Sequence, residues 1–257
     1  MEQIFNFKQI FNDVYGEMGF STNTLSNSDL NIFRNIIKTH YINQLEKHDI
    51  NFTDWKDLEM NEYHKFSDTI PHDQIWGKKN RILPLNLYNK LMETSFFQQM
   101  KTELGSILIS DEDQVGRPEI YWRLVRPLPH IDVGPIHADA WFWELGHGET
   151  PKTHKRIKFW ISIFNEPGQN GFCYVPSTHL KDFPYESEVR HGFKKPVFNS
   201  NDFDLDVNIF KSKPGDFIVF NDRLLHGGKP GGSKTRVSIE FTLFVEKNYL
   251  EKINFVN

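Results

Sequence analysis

The spacing of apolar positions changes near residue 107. Before that point it is helical: the capping pair Ser28-Asp29 precedes an apolar series, and residues 85–104 form a second helical segment behind Pro84. The first series is Leu30, Ile32, Phe33, Ile36, Ile37 and Tyr41. Residues 49–83 show no clear period and predict loops with short helices. The pattern therefore predicts a helical N-terminal region over residues 1–106.

After residue 107 the period becomes two, which is typical of strands with one buried face. The predicted strands are 107–110, 119–127, 136–143, 156–164, 172–176, 191–198, 207–211, 216–221 and 235–246. Many short strands separated by Gly, Pro, Asn and Asp favour a sandwich or jelly roll. We expect one domain over 1–257, with a β core at 107–246 and a tail at 247–257.

The last predicted strand has two chemically different faces. Its apolar positions, which should pack on the N-terminal helices, are Val237, Ile239, Phe241, Leu243 and Val245. The alternate positions Arg236, Ser238 and Glu240 would line the interior of the β core. A polar interior face predicts a cavity that holds a ligand.

Composition narrows the class of protein. The 257 residues are 38% hydrophobic and 25% charged, with a formal net charge of −4, which gives no reason to expect nucleic acid as a partner. A single cysteine, Cys173, fits a reducing compartment. The N-terminus does not resemble a signal peptide, and no apolar run approaches the ~20 residues that cross a bilayer. We expect a cytoplasmic protein without a membrane partner, whose oligomeric state the sequence does not indicate.

Candidate metal ligands lie far apart in the chain. His137 and Asp139 have the spacing that puts two side chains on one face of a strand. His226, which follows the predicted strand 216–221, can supply a third ligand. Two histidines and one carboxylate with open positions suit a non-haem Fe(II) oxygenase.

The same H-x-D spacing occurs seven residues earlier, at His130 and Asp132. This pair lies between Pro129 and Gly134-Pro135, and we interpret it as loop. An H-x-D triplet alone is a common surface feature, and a lone histidine after a strand is usually structural. The strand placement, the late His226 and the arginine ten residues after it together favour a metal site at His137, Asp139 and His226.

Arg236 needs a partner if it is buried, because an unpaired interior charge is costly. Its planar donors suit two-point binding of a carboxylate, such as the far end of a dicarboxylic cosubstrate that chelates iron. The alternative is an ion pair with Glu240 or Asp222.

These residues resemble those of Fe(II)/2-oxoglutarate-dependent oxygenases, and most of all the phytanoyl-CoA dioxygenase family, over roughly residues 119–246. The resemblance rests on GPIHADAWF at 134–142, KFWISIF at 158–164, NGFCYVPSTHL at 170–180 and the run GDFIVF…H…R at 215–236. In the third stretch Ser177-Thr178-His179 replaces the family's G-S-H. The resemblance implies a double-stranded β-helix, the jelly-roll core shared with cupins.

The resemblance also implies cofactors and roles. His137, Asp139 and His226 would hold Fe(II), and Arg236 would bind the distal carboxylate of 2-oxoglutarate, with Trp160 and Ser238 beside it. Reaction with O2 would hydroxylate a small-molecule substrate and release succinate and CO2. The faces of the predicted strands, and not the resemblance, offer the candidate contacts for an anionic substrate, which are Arg123, Tyr121, Trp141 and Lys158.

Three alternatives remain open from the residues alone. A cupin-like sugar isomerase or hydrolase could use the same three ligands on another metal, and would not need Arg236. A non-catalytic barrel could capture a ligand without turnover. A jumonji-like protein hydroxylase would use Lys158 in place of Arg236 to bind 2-oxoglutarate.

Overall fold

The computed structural model describes residues 3–50, 59–190 and 193–254. Its helices are α1 (Phe7–Tyr15), α2 (Asn27–Lys47), α3 (His72–Ile75), α4 (Leu85–Met92), α5 (Ser95–Leu104), α6 (Asp139–Glu144) and α7 (Lys247–Asn254). Its strands are β1 (Phe20–Thr24), β2 (Leu108–Ile109), β3 (Ile120–Val125), β4 (His154–Phe164), β5 (Gly171–Tyr174), β6 (Glu186–Arg190), β7 (Phe193–Val197), β8 (Asn208–Phe210), β9 (Asp216–Asn221), β10 (His226–Lys229) and β11 (Arg236–Glu246).

Two antiparallel sheets form the core. The larger has the order β1-β9-β4-β11, and both β2 and β3 pair with the far side of β11. The smaller has the order β10-β5-β8, and β6 and β7 form a separate hairpin. Trp160 and Phe220 of the larger sheet pack against Phe172 of the smaller. The fold prediction is confirmed: the chain is mainly β, with an N-terminal helical region and a jelly-roll core.

The outer face of the larger sheet is covered by helices. Val237, Ile239 and Phe241 of β11 belong to one buried apolar cluster with residues of α1, α2 and α5. Phe241 stacks on Phe159 of the neighbouring strand, with ring centroids 4.6 Å apart. The alternation of apolar residues along β11 predicted that this face packs on the helices, because every second side chain of a strand points to the same side.

The helices begin at slightly different residues from those predicted. Ser26, not Ser28, caps α2, accepting a hydrogen bond from the amide of Asp29 at 3.0 Å. The Asp29 side chain instead contacts the start of α5. Its carboxylate accepts hydrogen bonds from the amide of Ser95 at 3.0 Å and from the Ser95 hydroxyl at 2.6 Å. The predicted helix 85–104 is two helices, because the chain turns at Thr94.

Several strand predictions were wrong. Residues 136–143 are not a strand: His137 makes an isolated bridge to His226, and α6 begins at Asp139. The strands β1, β6 and β10 were not predicted, and residues 191–192 of a predicted strand lie outside the described residues. The segment 247–254, which was predicted to be a tail, is helix α7, with Leu250 and Ile253 buried against the core.

No helix in the described part of the chain is both long enough and apolar enough to span a membrane.

Candidate active site

Three side chains converge where the smaller sheet meets α6. The amide of His137 donates a hydrogen bond to the carbonyl of His226 at 2.9 Å, and the amide of His226 donates one to the carbonyl of His137 at 2.8 Å. This bridge brings the two imidazole rings to a centroid distance of 4.5 Å. Asp139 follows at the first residue of α6, so that its carboxylate and the two rings offer ligand atoms within 4.8 Å of one another.

Backbone carbonyls orient both imidazoles. Nδ1 of His137 lies 2.8 Å from the carbonyl oxygen of Pro135, and Nδ1 of His226 lies 2.8 Å from that of Leu224. A carbonyl only accepts, so each Nδ1 carries a proton, which leaves each Nε2 as the atom that can bind a metal. Both Nε2 atoms lie 3.5 Å from an Asp139 oxygen. Hydrogen bonds that fix the tautomer in this way are typical of metal-binding histidines.

The electrostatics of the site favour the protonation states that a metal requires. Burial lowers the pKa of His226 to about 4, so its ring is neutral at pH 7. Burial alone would raise the pKa of the Asp139 carboxyl, but the Lys158 ammonium and the two histidines hold it well below its usual range. A carboxylate and two neutral imidazoles are the donor set of a non-haem Fe(II) centre. The residues present therefore fit the metal that the resemblance implies.

Arg236 lies at the opposite end of the same pocket. Its side chain is 1% exposed, donates from Nη1 to the carbonyl of Gly171, and lies 5.7 Å from the centre of the Trp160 ring. Its Nε is buried without a hydrogen-bond partner in the described residues. Burial, and then the charge of Arg123, lower the pKa of Arg236 to about 10. The guanidinium thus lacks the compensating anion that a bound carboxylate would supply.

The ion pair considered for Arg236 is not formed. Glu240 lies with Arg123, 3.2 Å from its Nε, and accepts a hydrogen bond from the Tyr121 hydroxyl at 2.6 Å. Asp222 pairs with Arg156 at 2.5 Å. Burial opposes ionisation of Glu240, but Arg123 and Tyr121 lower the pKa of its carboxyl.

The pocket between these two ends is open to solvent. Its lining includes the three candidate metal ligands and the predicted residues Tyr121, Arg123, Lys158, Trp160 and Arg236, together with Glu240, Gly134, Phe159, Phe172, Phe220, Gly227 and Gly228. A Cβ at Gly228 would lie 2.6 Å from Val133 and 3.6 Å from Arg236. Glycine there lets the loop before His137 close over the buried guanidinium.

Two predicted site residues have other surroundings. Trp141 is not among the lining residues, since it stacks on Tyr185 at 4.8 Å and packs against Phe198. The helical period of α6 turns it away from Asp139, whereas a strand would have kept the two on one face. Ser238 is fully buried beside Glu240, with its hydroxyl 3.4 Å from that carboxylate.

The loop interpretation of His130 and Asp132 is confirmed. Asp132 accepts two hydrogen bonds from the Arg126 guanidinium, each at 2.8 Å, and one from the Arg126 amide at 2.9 Å. This carboxylate shapes the loop that leads to His137, and three hydrogen bonds saturate much of its accepting capacity.

Sequence reasoning missed the acidic partners of the basic residues. Glu112, which precedes β3 in a loop, lies 3.7 Å from Lys158 and 3.4 Å from Lys78. No local pattern marks a loop carboxylate as interior, so only the folded chain identifies it. Glu240 was visible as an inward position of β11, but its pairing with Arg123 depends on β3 lying next to β11.

Comparison with known families and structures finds clear similarities. The model of the family described as phytanoyl-CoA dioxygenase matches residues 78–237, more than half of the chain. No curated protein sequence matches the chain.

Among solved structures, EvdO2 from Micromonospora carbonacea var. aurantiaca is similar, with a TM-score of 0.58 and 13% identity over 96% of this chain and 94% of that one. The non-heme alpha ketoglutarate dependent carbocyclase SnoK from nogalamycin biosynthesis has a TM-score of 0.52 and 14% identity over 93% and 83%. The epimerase SnoN, in complex with Fe3+, alpha ketoglutarate and nogalamycin RO, has a TM-score of 0.51 and 11% identity over 93% and 83%. At these identities the likeness shows a shared fold.

Proposed function

This chain belongs to the phytanoyl-CoA dioxygenase family, and on that premise we propose that it hydroxylates a small anionic molecule. It is an Fe(II)- and 2-oxoglutarate-dependent oxygenase, and the family assignment decides against a cupin-like isomerase or hydrolase and against a non-catalytic barrel. The observation that carries the proposal is one pocket with a His-Asp-His cluster at one end and, at the other, a buried arginine that has no anionic partner among the described residues.

We assign Fe(II) binding to His137, Asp139 and His226. When bound, Fe(II) and 2-oxoglutarate supply the oxidising chemistry with O2, and succinate and CO2 are released. Arg236 would bind the distal carboxylate of 2-oxoglutarate, and its unpaired Nε shows the unused donor capacity this requires. Trp160 would confine the cosubstrate from the side of β4, whereas Ser238 is buried outside the pocket lining and is not part of the proposal.

Hydroxylation is favoured over halogenation by Asp139. A halide needs an open position on the metal, and the carboxylate occupies that position when it serves as a ligand. Apolar rings next to the ligands would also limit water in the pocket: Phe172 stacks on His226 at 5.3 Å, and Phe220 lies 4.6 Å from the same ring. Exclusion of water protects the oxidising step from side reactions.

The anionic substrate is proposed from Arg123. This residue lies on β3 and lines the pocket. Its side chain is 31% exposed, and its Nε, although 3.2 Å from Glu240, makes no hydrogen bond of good geometry in the described residues. The guanidinium therefore has donors left for a carboxylate or phosphate, and Tyr121 lies beside it.

The jumonji-like arrangement is not favoured. Lys158 lies 3.1 Å from Asp139, at the metal end of the pocket, so its ammonium is not placed at the end where Arg236 lies.

The first test is anaerobic. Fe(II) and then 2-oxoglutarate are added to the purified protein, and the weak visible charge-transfer band of the iron chelate is recorded. We expect a band in the wild type, no band in His226→Ala and a weakened band in Arg236→Ala. Stoichiometric metal binding without a band would contradict 2-oxoglutarate chelation, and absence of metal binding would contradict the ligand assignment.

The substrate class has its own test. Arg123→Ala should leave the 2-oxoglutarate-dependent band unchanged while abolishing the increase in succinate formation that an anionic substrate produces. Small carboxylates and phosphate esters are screened as substrates, with their neutral amides or alcohols as matched controls. Equal turnover of the neutral controls would show that the substrate need not be an anion.

A further inference from the structure

Lys158 is a buried cation in the middle of β4. Only 5% of the residue is exposed, and its ammonium lines the pocket next to Asp139. An ammonium in such a place is costly unless acceptors surround it. Its acceptors therefore indicate what the residue does.

Three protein groups surround the ammonium. Nζ lies 3.1 Å from Oδ2 of Asp139 and donates to the Thr242 hydroxyl at 2.8 Å. The third group is Glu112, whose Oε2 lies 3.7 Å away. Thr242 is the direct partner of Lys158 in the pairing of β4 with β11, so the sheet register itself places this hydroxyl.

A second lysine holds Glu112 in position. Nζ of Lys78 lies 3.4 Å from Glu112, 3.1 Å from Asp113 and 3.0 Å from Glu119. The ion pairs thus form a continuous series from Asp139 through Lys158 and Glu112 to Lys78. Of these groups Thr242 accepts a hydrogen bond, and the two carboxylates form ion pairs with the ammonium.

We propose that Lys158 is a positioning residue of the metal centre: a resident counter-ion that keeps Asp139 in place without metal and weakens metal binding. The inference rests on the proposed ligand assignment. It also changes the predicted role of Lys158, because its ammonium already lies 3.1 Å from the Asp139 carboxylate and donates to the Thr242 hydroxyl.

The physical reason is competition between two cations for one carboxylate. Without metal, Asp139 faces two histidines, and the ammonium is the cation that compensates its charge. With metal, the ammonium remains close to the ion through the same carboxylate, and like charges in a low-dielectric pocket repel strongly. The positive charge 3.1 Å from Oδ2 also reduces the basicity of the carboxylate.

The test is Co(II) titration by absorbance, together with thermal unfolding of the metal-free protein. Co(II) accepts the same nitrogen and oxygen ligands as Fe(II). The variants are Lys158→Met, which removes charge and donors, and Lys158→Gln, which removes only the charge. Lys155→Met is the matched control, since Lys155 is exposed on the same strand and lies over the Tyr15 ring.

For Lys158→Met we expect a lower Tm without metal and a Kd for Co(II) that is roughly tenfold smaller, the usual scale of changes around metal ligands. Lys158→Gln should behave like Lys158→Met, and Lys155→Met like the wild type. Weaker Co(II) binding in Lys158→Met, or wild-type behaviour of Lys158→Gln, would overturn the counter-ion role. If the wild type bound no Co(II), the ligand assignment itself would fail, and this inference with it.

A double variant keeps the proposal testable if Lys158→Met does not fold. Removing both charges in Lys158→Met/Asp139→Asn should raise the metal-free Tm above that of Lys158→Met, or restore folding. A double variant no more stable than Lys158→Met would show that the lysine acts through Thr242 and Glu112 alone, and would overturn the proposal.

Discussion

The two faces of β11 have opposite chemistry although they share one backbone. The outward side chains, from Val237 to Val245, are apolar, at most 1% exposed and packed on the helices. The inward side chains are polar: Arg236, Ser238 and Thr242 are at most 2% exposed, and Glu240 is partly buried. Burial alone therefore does not distinguish side chains that stabilise the fold from side chains that serve binding.

What distinguishes the two faces is whether each group is satisfied within the protein. Outward side chains such as Phe241 have complete apolar surroundings, so changing them should affect stability and leave binding intact. Arg236 has an unsatisfied donor and no anionic partner in the described residues, so changing it should affect binding and leave stability nearly intact. Four experiments test this contrast, in order of decreasing expected effect.

Arg236→Met should raise the KM for 2-oxoglutarate on the order of a thousandfold, as expected when one partner of a buried ionic contact is lost. Its Tm should not fall, because methionine removes a buried charge that the free protein does not neutralise. Succinate formation and thermal unfolding measure the two quantities. Arg223→Met, on the surface, is the control, and a large loss of Tm in Arg236→Met would remove the contrast between the faces.

Phe241→Ala should show the reverse behaviour. Losing a ring stacked on Phe159 leaves a cavity and should lower the free energy of unfolding by about 3–5 kcal/mol. The KM for 2-oxoglutarate of the remaining folded protein should be unchanged. Chemical denaturation gives the first value, with Ile32→Ala on the exposed side of α2 as control, and a changed KM would show that the outward face also shapes the pocket.

The third experiment varies pH on metal-free protein. The pKa of His226 is about 4 in the folded state against 6.5 in a free side chain, so between these values the unfolded chain binds the proton more readily. Stability should therefore fall as pH is lowered from about 6.5 toward 4, by up to about 3 kcal/mol. Denaturation midpoints across this window should decline less steeply in His226→Gln. Phe241→Ala, as control, should keep the wild-type slope, and an unchanged slope in His226→Gln would contradict the shifted pKa.

Glu240→Gln should have the smallest effect. It keeps an acceptor for Tyr121 but removes the charge opposite Arg123, and we expect a loss of about 1–2 kcal/mol in unfolding free energy. Freed from its partner, Arg123 should bind anionic substrates more tightly, which substrate KM values would report. Tighter binding of neutral analogues to the same degree would point to a change in pocket shape instead of charge.

The sequence was most informative where a local pattern has one physical meaning. Alternation along β11 predicted both faces, because the side-chain period of a strand is independent of its neighbours. The spacing of His137, Asp139 and His226 selected the three side chains that the structure brings together. The supporting reason was nevertheless wrong, since Asp139 begins α6 and does not share a strand with His137.

Tertiary contacts decided what local patterns could not. Trp141 does not line the pocket because the chain continues from Asp139 as a helix. Asp29, predicted to cap its own helix, caps α5 across more than sixty residues of chain. Glu240 pairs with Arg123 and not with Arg236, because β3 lies beside β11 at that level of the sheet.

By itself, the sequence indicated a strand-rich sandwich or jelly roll through its periodicity, and the family through the resemblance of its motifs. The donor chemistry of the side chains indicated which residue types can hold iron and a dicarboxylate. Only the tertiary structure decided which charges meet. Among the described residues Arg236 has no anionic partner, whereas Lys158 lies next to Asp139 and close to Glu112, a carboxylate from a loop. Electrostatic energy depends on distances of a few ångströms across the fold, and no local pattern encodes those distances.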